Sequence, residues 1–186
     1  MKFFQNRAVA VVIAVVGVTL STLLSAKIGM TRDYNRLHSS FFHTDGKAPV
    51  YYVDQLISAA ASLATVGERY GALTDASALV REARKALVGA EDAMDISDIS
   101  DAAAALSAAV DGLRGAAAGV EMTGADASAF ADGTAAVAGA RRELLECDYN
   151  EEARELIRKN YESLPASFFA GLLDIPRPEL FTEGTL

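Results

Sequence analysis

The chain of 186 residues contains no tryptophan, one cysteine and two histidines, and aromatic residues make up only 8% of it. Each scarcity excludes something. A single thiol, Cys147, cannot build an intramolecular disulfide framework or a thiolate metal cluster, and on a helix it reads as a small apolar filler. His38 and His43 are separated by about 500° of helical rotation, so their rings diverge and do not form a helix-borne metal pair. No Val, Ile or Thr run alternates with period two, which argues against sheet. The acidic run Glu91–Asp101 lacks the mid-loop glycine and closing glutamate of a calcium loop. No Gly-x-Ser-x-Gly elbow occurs, and "RGAAAG" is not followed by the Lys-Ser/Thr of a phosphate-binding loop. The sequence therefore points to no catalytic, cofactor-binding or metal-ligating residue.

What is present is alanine and leucine, within an apolar share of 51%. Both lead the helix scale, so the composition favours an all-α fold. The formal charge is −8, unevenly spread: residues 37–186 hold 12 Lys and Arg against 24 Asp and Glu. An acidic body makes few phosphate contacts, which sets nucleic acid aside as a partner.

The stretch Ala8–Ala26 carries no charge over 19 residues, a length of about 28 Å as a helix, close to the hydrocarbon core of a bilayer. Lys2 and Arg7 precede it; Lys27, Arg32 and Arg36 follow. Cleavage after Ala26 as a signal peptide would put Leu24 where a small residue is wanted, so an uncleaved anchor is the better reading. Positive charge is nearly balanced across the span, and long soluble regions translocate regardless of it; the body is expected outside the cytoplasm.

Four further helices follow by period. The first has its face at Val53, Leu56, Ile57, Ala60, Leu63, Ala64 and Gly67, then Tyr70. The second uses Leu79, Val80, Ala83, Leu87 and Ala90, with Thr74 or Asp75 as cap. The third uses Ile99, Ala103, Leu106, Val110, Leu113 and Ala117, capped by Ser97 or Ser100. The longest runs from about Ala125 to about Ser163 on Phe130, Val137, Leu144, Leu145, Tyr149, Ala153, Leu156, Ile157 and Tyr161. Arg141 lies near that face, either held in the seam beside an acid or snorkelling from its edge. Breaks at His43–Pro49, Gly71–Asp75, Glu91–Asp98 and Gly119–Gly124 are short, which implies antiparallel neighbours. The anchor helix is free to continue to Phe41 or Phe42.

The tail "NYESLPASFFAGLLDIPRPELF" places Phe168, Phe169, Leu172 and Leu173 at helical spacing between prolines, with Phe181 closing it. Pro165 is expected to end the long helix. These apolar residues are too few to span a bilayer. They form either a lid folded onto the bundle or a membrane-interface or partner contact.

Tyr149-Asn150, Leu164-Pro165, Ala170-Gly171-Leu172-Leu173 and the closing Pro178 and Phe181, together with Tyr34, Asn35 and Leu37 beside the anchor, resemble the LemA family of bacterial membrane-anchored helical proteins. The match follows chain order, and its tail is the specific part. The chain departs from the pattern where Glu146-Cys147 stands for an Arg pair and Asp174-Ile175 for Gly-Phe. The resemblance implies an N-terminal anchor and an antiparallel bundle, no established enzymatic activity, and association with membrane proteases and envelope proteins.

Together these readings predict a flank at 1–7, a transmembrane anchor at 8–26 in the lipid bilayer, an antiparallel bundle at 27–163 and a proline-bounded tail at 164–186. The expected role is interaction with other membrane or envelope proteins at the bacterial cytoplasmic membrane, without a cofactor. An anchored enzyme and a structural spacer are the alternatives, and oligomeric state is left open.

Overall fold

The computed structural model describes residues 7–43 and 48–181, so Lys2, positions 44–47 of the break and positions 182–186 of the tail lie outside the described residues. Among the described residues every regular element is helical, so the chain is all-α with a helical bundle. Helix α1, Arg7–Phe42, is one uninterrupted rod about 54 Å long, continuing to Phe42 as foreseen. Its apolar half is long and hydrophobic enough to cross a membrane, by length and composition, or to act as a signal sequence. Val11, Val12, Ile13, Val15, Val16, Val18, Leu20 and Leu24 stay exposed along it. Within this half the Thr19 and Thr22 hydroxyls donate to the Val15 and Val18 carbonyls at 2.8 and 2.9 Å, so their polar atoms are satisfied inside the helix, as hydrocarbon requires.

By contact density the chain forms two compact units, residues 1–38 with 152–178, and residues 39–151 with 179–186. The larger unit holds α2 (Pro49–Gly67), a 3-10 turn (Gly71–Leu73), α3 (Thr74–Ala93), α4 (Ile96–Ala117) and α5 (Gly124–Glu146). Pro49 opens α2 where its missing N–H has no partner to lose. Helix α2 packs against α5, α3 and α4, and α3 packs against α4. The predicted α2 face is buried residue for residue from Val53 to Gly67. Gly133 of α5 lets this pair approach closely, because a Cβ there would fall 2.8 Å from Leu63 Cγ. Asp95 and Thr123 cap α4 and α5, accepting from the Asp98 and Asp126 N–H groups. Met94 closes α3 in the left-handed region (φ 55°), and Asp95 N–H donates back to the Ala90 carbonyl.

Three local expectations differ from what is found. Leu79 is exposed, and Ser77 takes its place on the α3 face with Val80, Leu87 and Ala90. The α4 cap is Asp95, neither Ser97 nor Ser100; α3 starts at Thr74 with no side-chain cap. The long helix is broken at Cys147, which is extended (φ −67°, ψ 149°), and α6 (Asp148–Ile157) begins beyond it. The reason is phase. Leu144 and Tyr149 are both buried, but five residues turn an unbroken helix by about 500°, some 140° off the shared face. One extended residue resets the phase, and Asp148 and Glu151 fall in the first turn of the new helix, where negative charge is favoured.

Ser77 Oγ is buried against Gly67 and makes no hydrogen bond within the protein. An unpaired buried hydroxyl is destabilising, so Ser77→Ala is expected to raise the stability by about 1 kcal/mol, read from the urea midpoint of the full chain in micelles.

The smaller unit contains the first part of α1, the end of α6, a π-helical turn (Arg158–Glu162) and α7 (Ala166–Leu172). The α-helix thus ends at Ile157, ahead of Pro165, and the π turn carries the chain to extended Ser163. Met30 of α1, Ala170 and Ile175 form a small buried cluster, with Tyr161, Phe169 and Leu173 packed on it. Tyr161 O–H donates to the Pro176 carbonyl at 2.5 Å, and Lys159 Nζ donates to Asp33 at 2.7 Å. Asp174 turns the chain after α7 in the left-handed region (φ 51°), with Ile175 N–H donating to the Ala170 carbonyl. Aspartate tolerates that conformation better than most residues with a side chain.

Candidate interaction surfaces

The predicted tail residues do not form one surface. Phe169 and Leu173 turn towards Met30, whereas Phe168 (62% exposed), Leu172 (57%) and the preceding Leu164 (85%) face outwards. Phe181 belongs to the larger unit and is buried there.

The motif positions divide likewise. Tyr149 and Asn150 are buried; the Tyr149 hydroxyl donates to the Glu179 carbonyl at 2.9 Å. Asn150 Nδ2 donates to the Phe181 carbonyl at 2.8 Å, and Phe181 N–H donates to Asn150 Oδ1 at 2.9 Å. The Tyr-Asn pair thus fastens residues 179–181 onto the larger unit. Tyr34 stacks on His38 with ring centroids 6.0 Å apart. Asn35, Pro165 and Gly171 are exposed, and Pro178 is buried.

A feature not predicted is a groove between α4 and α5, with a volume of about 420 Å³. It is lined by Val110, Val137 and Leu145 together with Arg114, Arg141, Arg142, Asp111 and Glu146. Arg141 is half-buried and also borders a small cavity of about 10 Å³ with Ser100, Ser107, Leu144 and Phe181. Arg114 pairs with Asp111 at 3.2 Å and Arg142 with Glu143 at 3.4 Å, both exposed pairs of little energetic weight. The groove was not legible because it depends on how far apart α4 and α5 stand, which periodicity does not encode.

Titrating groups with displaced pKa values lie outside this groove. Burial, then the carboxylates of Asp54 and Asp92, push Glu91 up from the ordinary value. Burial pushes the Cys147 thiol up, against backbone hydrogen bonds; its Sγ donates to the Leu144 carbonyl. Burial likewise raises Tyr161, aided by Tyr34. Asp126 is held below the ordinary carboxylate value, first by the Tyr70 O–H, which donates to it at 2.8 Å, and also by Arg69. Tyr70 Oη in turn accepts from Thr123 N–H at 3.0 Å, joining the end of α2 to the start of α5. A depressed carboxyl pKa contributes stability above the unfolded-state value and loses it as pH falls through the folded one. Tyr70→Phe is therefore expected to lower stability most at neutral pH, with the difference from the parent narrowing as pH falls through the folded-state value of Asp126; a difference that does not change with pH would count against this linkage.

Among the described residues, no three His, Cys, Asp or Glu side chains lie close enough together to hold a metal ion. No protein-family model, curated protein or solved structure matches the chain.

Proposed function

We propose that this is a single-pass membrane-anchored protein that binds other membrane or envelope proteins through the α4–α5 groove, with its bundle on the outer side of a bacterial cytoplasmic membrane. The observation that carries this reading is charge placement. The larger unit holds eight Lys and Arg against twenty Asp and Glu, yet Arg114, Arg141 and Arg142 line one groove beside Val110, Val137 and Leu145. A groove that mixes valine and leucine side chains with guanidinium groups suits an amphipathic segment bearing carboxylates, since arginine binds carboxylate in two parallel hydrogen bonds. The resemblance to LemA proteins supports the same role.

The test is photo-crosslinking in native membranes from position 138 inside the groove, with Ser58 on a different surface as control. Adducts to another membrane protein from position 138, absent from position 58 and lost in Arg141→Glu/Arg142→Glu, are the expected outcome. Equal labelling from both positions, or none under conditions that capture known complexes, overturns it. Digestion of the bundle by protease added outside spheroplasts checks the topology; full protection reverses it.

A further inference from the structure

The inward face of α7 lies against the part of α1 that leaves the apolar span. Met30, to which α7 is packed, stands four residues beyond Ala26, about 6 Å further along the helix. The interfacial layer of a bilayer is about 5–8 Å deep on each side of the hydrocarbon. The α1 stripe to which Met30 belongs also includes Leu23 and Ala26, both half-buried, and Tyr34 and Leu37 beyond it. Phe168 and Leu172, four residues apart on α7, are both exposed, as is the preceding Leu164, and water does not favour such exposure. Ile28 of α1, two residues before Met30, is also exposed.

From this placement we infer that α7 is a lipid contact: Leu164, Phe168 and Leu172 enter the interface of the bilayer that α1 crosses, while Phe169, Ala170 and Leu173 hold α7 to α1. The inference rests on the reading of α1 as a membrane anchor. Seven helical residues would bind lipid weakly alone, but α7 is tethered to the span, so its association with the bilayer is intramolecular. Charge agrees with the placement. Beyond the span, the unit containing α7 carries seven Lys and Arg against five Asp and Glu, whereas the larger unit is strongly acidic. Lys27, Arg32 and Arg177 are exposed in it, as expected of a surface held near anionic headgroups. Phe and Leu are among the residues that interfacial helices turn towards lipid.

The absence of tryptophan makes the test direct, because Phe168→Trp introduces a single tryptophan, excited selectively over the six tyrosines at the red edge of absorption. The full chain is reconstituted into phosphatidylcholine–phosphatidylglycerol vesicles, with Leu79→Trp, an exposed site in the other unit, as the aqueous reference. Expected for Phe168→Trp are blue-shifted emission, protection from iodide, and stronger quenching by lipid brominated near the carboxyl end of its chains than near the methyl end. Emission like that of Leu79→Trp, open to iodide and indifferent to brominated lipid, overturns the inference. Protection from both quenchers also overturns it, since it places the ring against protein, including a second copy of this chain. Flotation of the same vesicles separates the two readings. If the chain does not float with lipid, the anchor reading fails; if it floats but the Phe168→Trp signal is aqueous, only the α7 contact fails. Phe168→Ser should retain the thermal unfolding temperature of the parent, whereas Phe169→Ser, which removes an inward contact with Met30, should lower it.

Discussion

Replacing Phe41 with alanine is expected to lower the stability of the larger unit by about 3–5 kcal/mol, the range for removing a fully buried phenylalanine. The ring is inaccessible to solvent and meets three others. Tyr149 stands edge-on to it at 5.1 Å between centroids, Phe42 lies at 5.0 Å and Phe181 at 6.5 Å. Truncation leaves a void bounded by aromatic rings that cannot all collapse into it, so the loss is the transfer term plus the cavity term. Edge-to-face pairing with Tyr149 adds about 0.5–1.5 kcal/mol beyond area burial. The neighbouring Phe42 is half-buried, so Phe42→Ala is the internal control and should cost clearly less. The measurement is urea unfolding of the full chain in micelles, followed by circular dichroism at the helical minimum. The apolar part of α1 stays helical in the micelle and does not contribute to the transition. A Phe41→Ala midpoint no lower than that of Phe42→Ala would show that the cluster does not close the unit.

The same cluster marks where sequence reading succeeded and where it stopped. The α2 face was legible because seven residues from Val53 to Gly67 keep steps of three and four, and all are buried. The motif Tyr149-Asn150 was visible as a pattern, but its work was not. Its partners are backbone atoms of residues 179 and 181, and a backbone partner leaves no trace in residue type. The break at Cys147 was present in the spacing, as the step of five between Leu144 and Tyr149, yet the helical character of both flanks masked it. In α7 the two phenylalanines and two leucines fill a turn and a half, so composition alone gave no sign of which pair faces Met30. Leu79 and Ser77 show the same limit: apolarity favoured Leu79 for the core, but phase placed Ser77 there.

Asn150→Leu is expected to cost about 2–4 kcal/mol, although it introduces a more hydrophobic side chain at a buried position. The asparagine amide satisfies both backbone groups of Phe181, donating to its carbonyl and accepting from its N–H. Leucine has neither function, so two main-chain groups lose their partners in a place that excludes water, and residues 179–181 have less to hold them. Chymotrypsin cleavage at Leu180 or Phe181 should accelerate in step with the loss of stability. Asn150→Asp separates hydrogen bonding from packing, since its size is nearly unchanged. A carboxylate still accepts from the Phe181 N–H, but its second oxygen then opposes the Phe181 carbonyl. Burial and that opposition raise the aspartate pKa, because only the protonated acid has a hydrogen to donate. A group raised in the folded state supports folding at low pH and loses that support as pH rises through its folded value. Asn150→Asp should therefore recover stability relative to the parent on mild acidification, whereas Asn150→Leu should show no such recovery. If the two variants respond to pH alike, the amide is not reading the Phe181 backbone, and the tail is held by its aromatic ring alone.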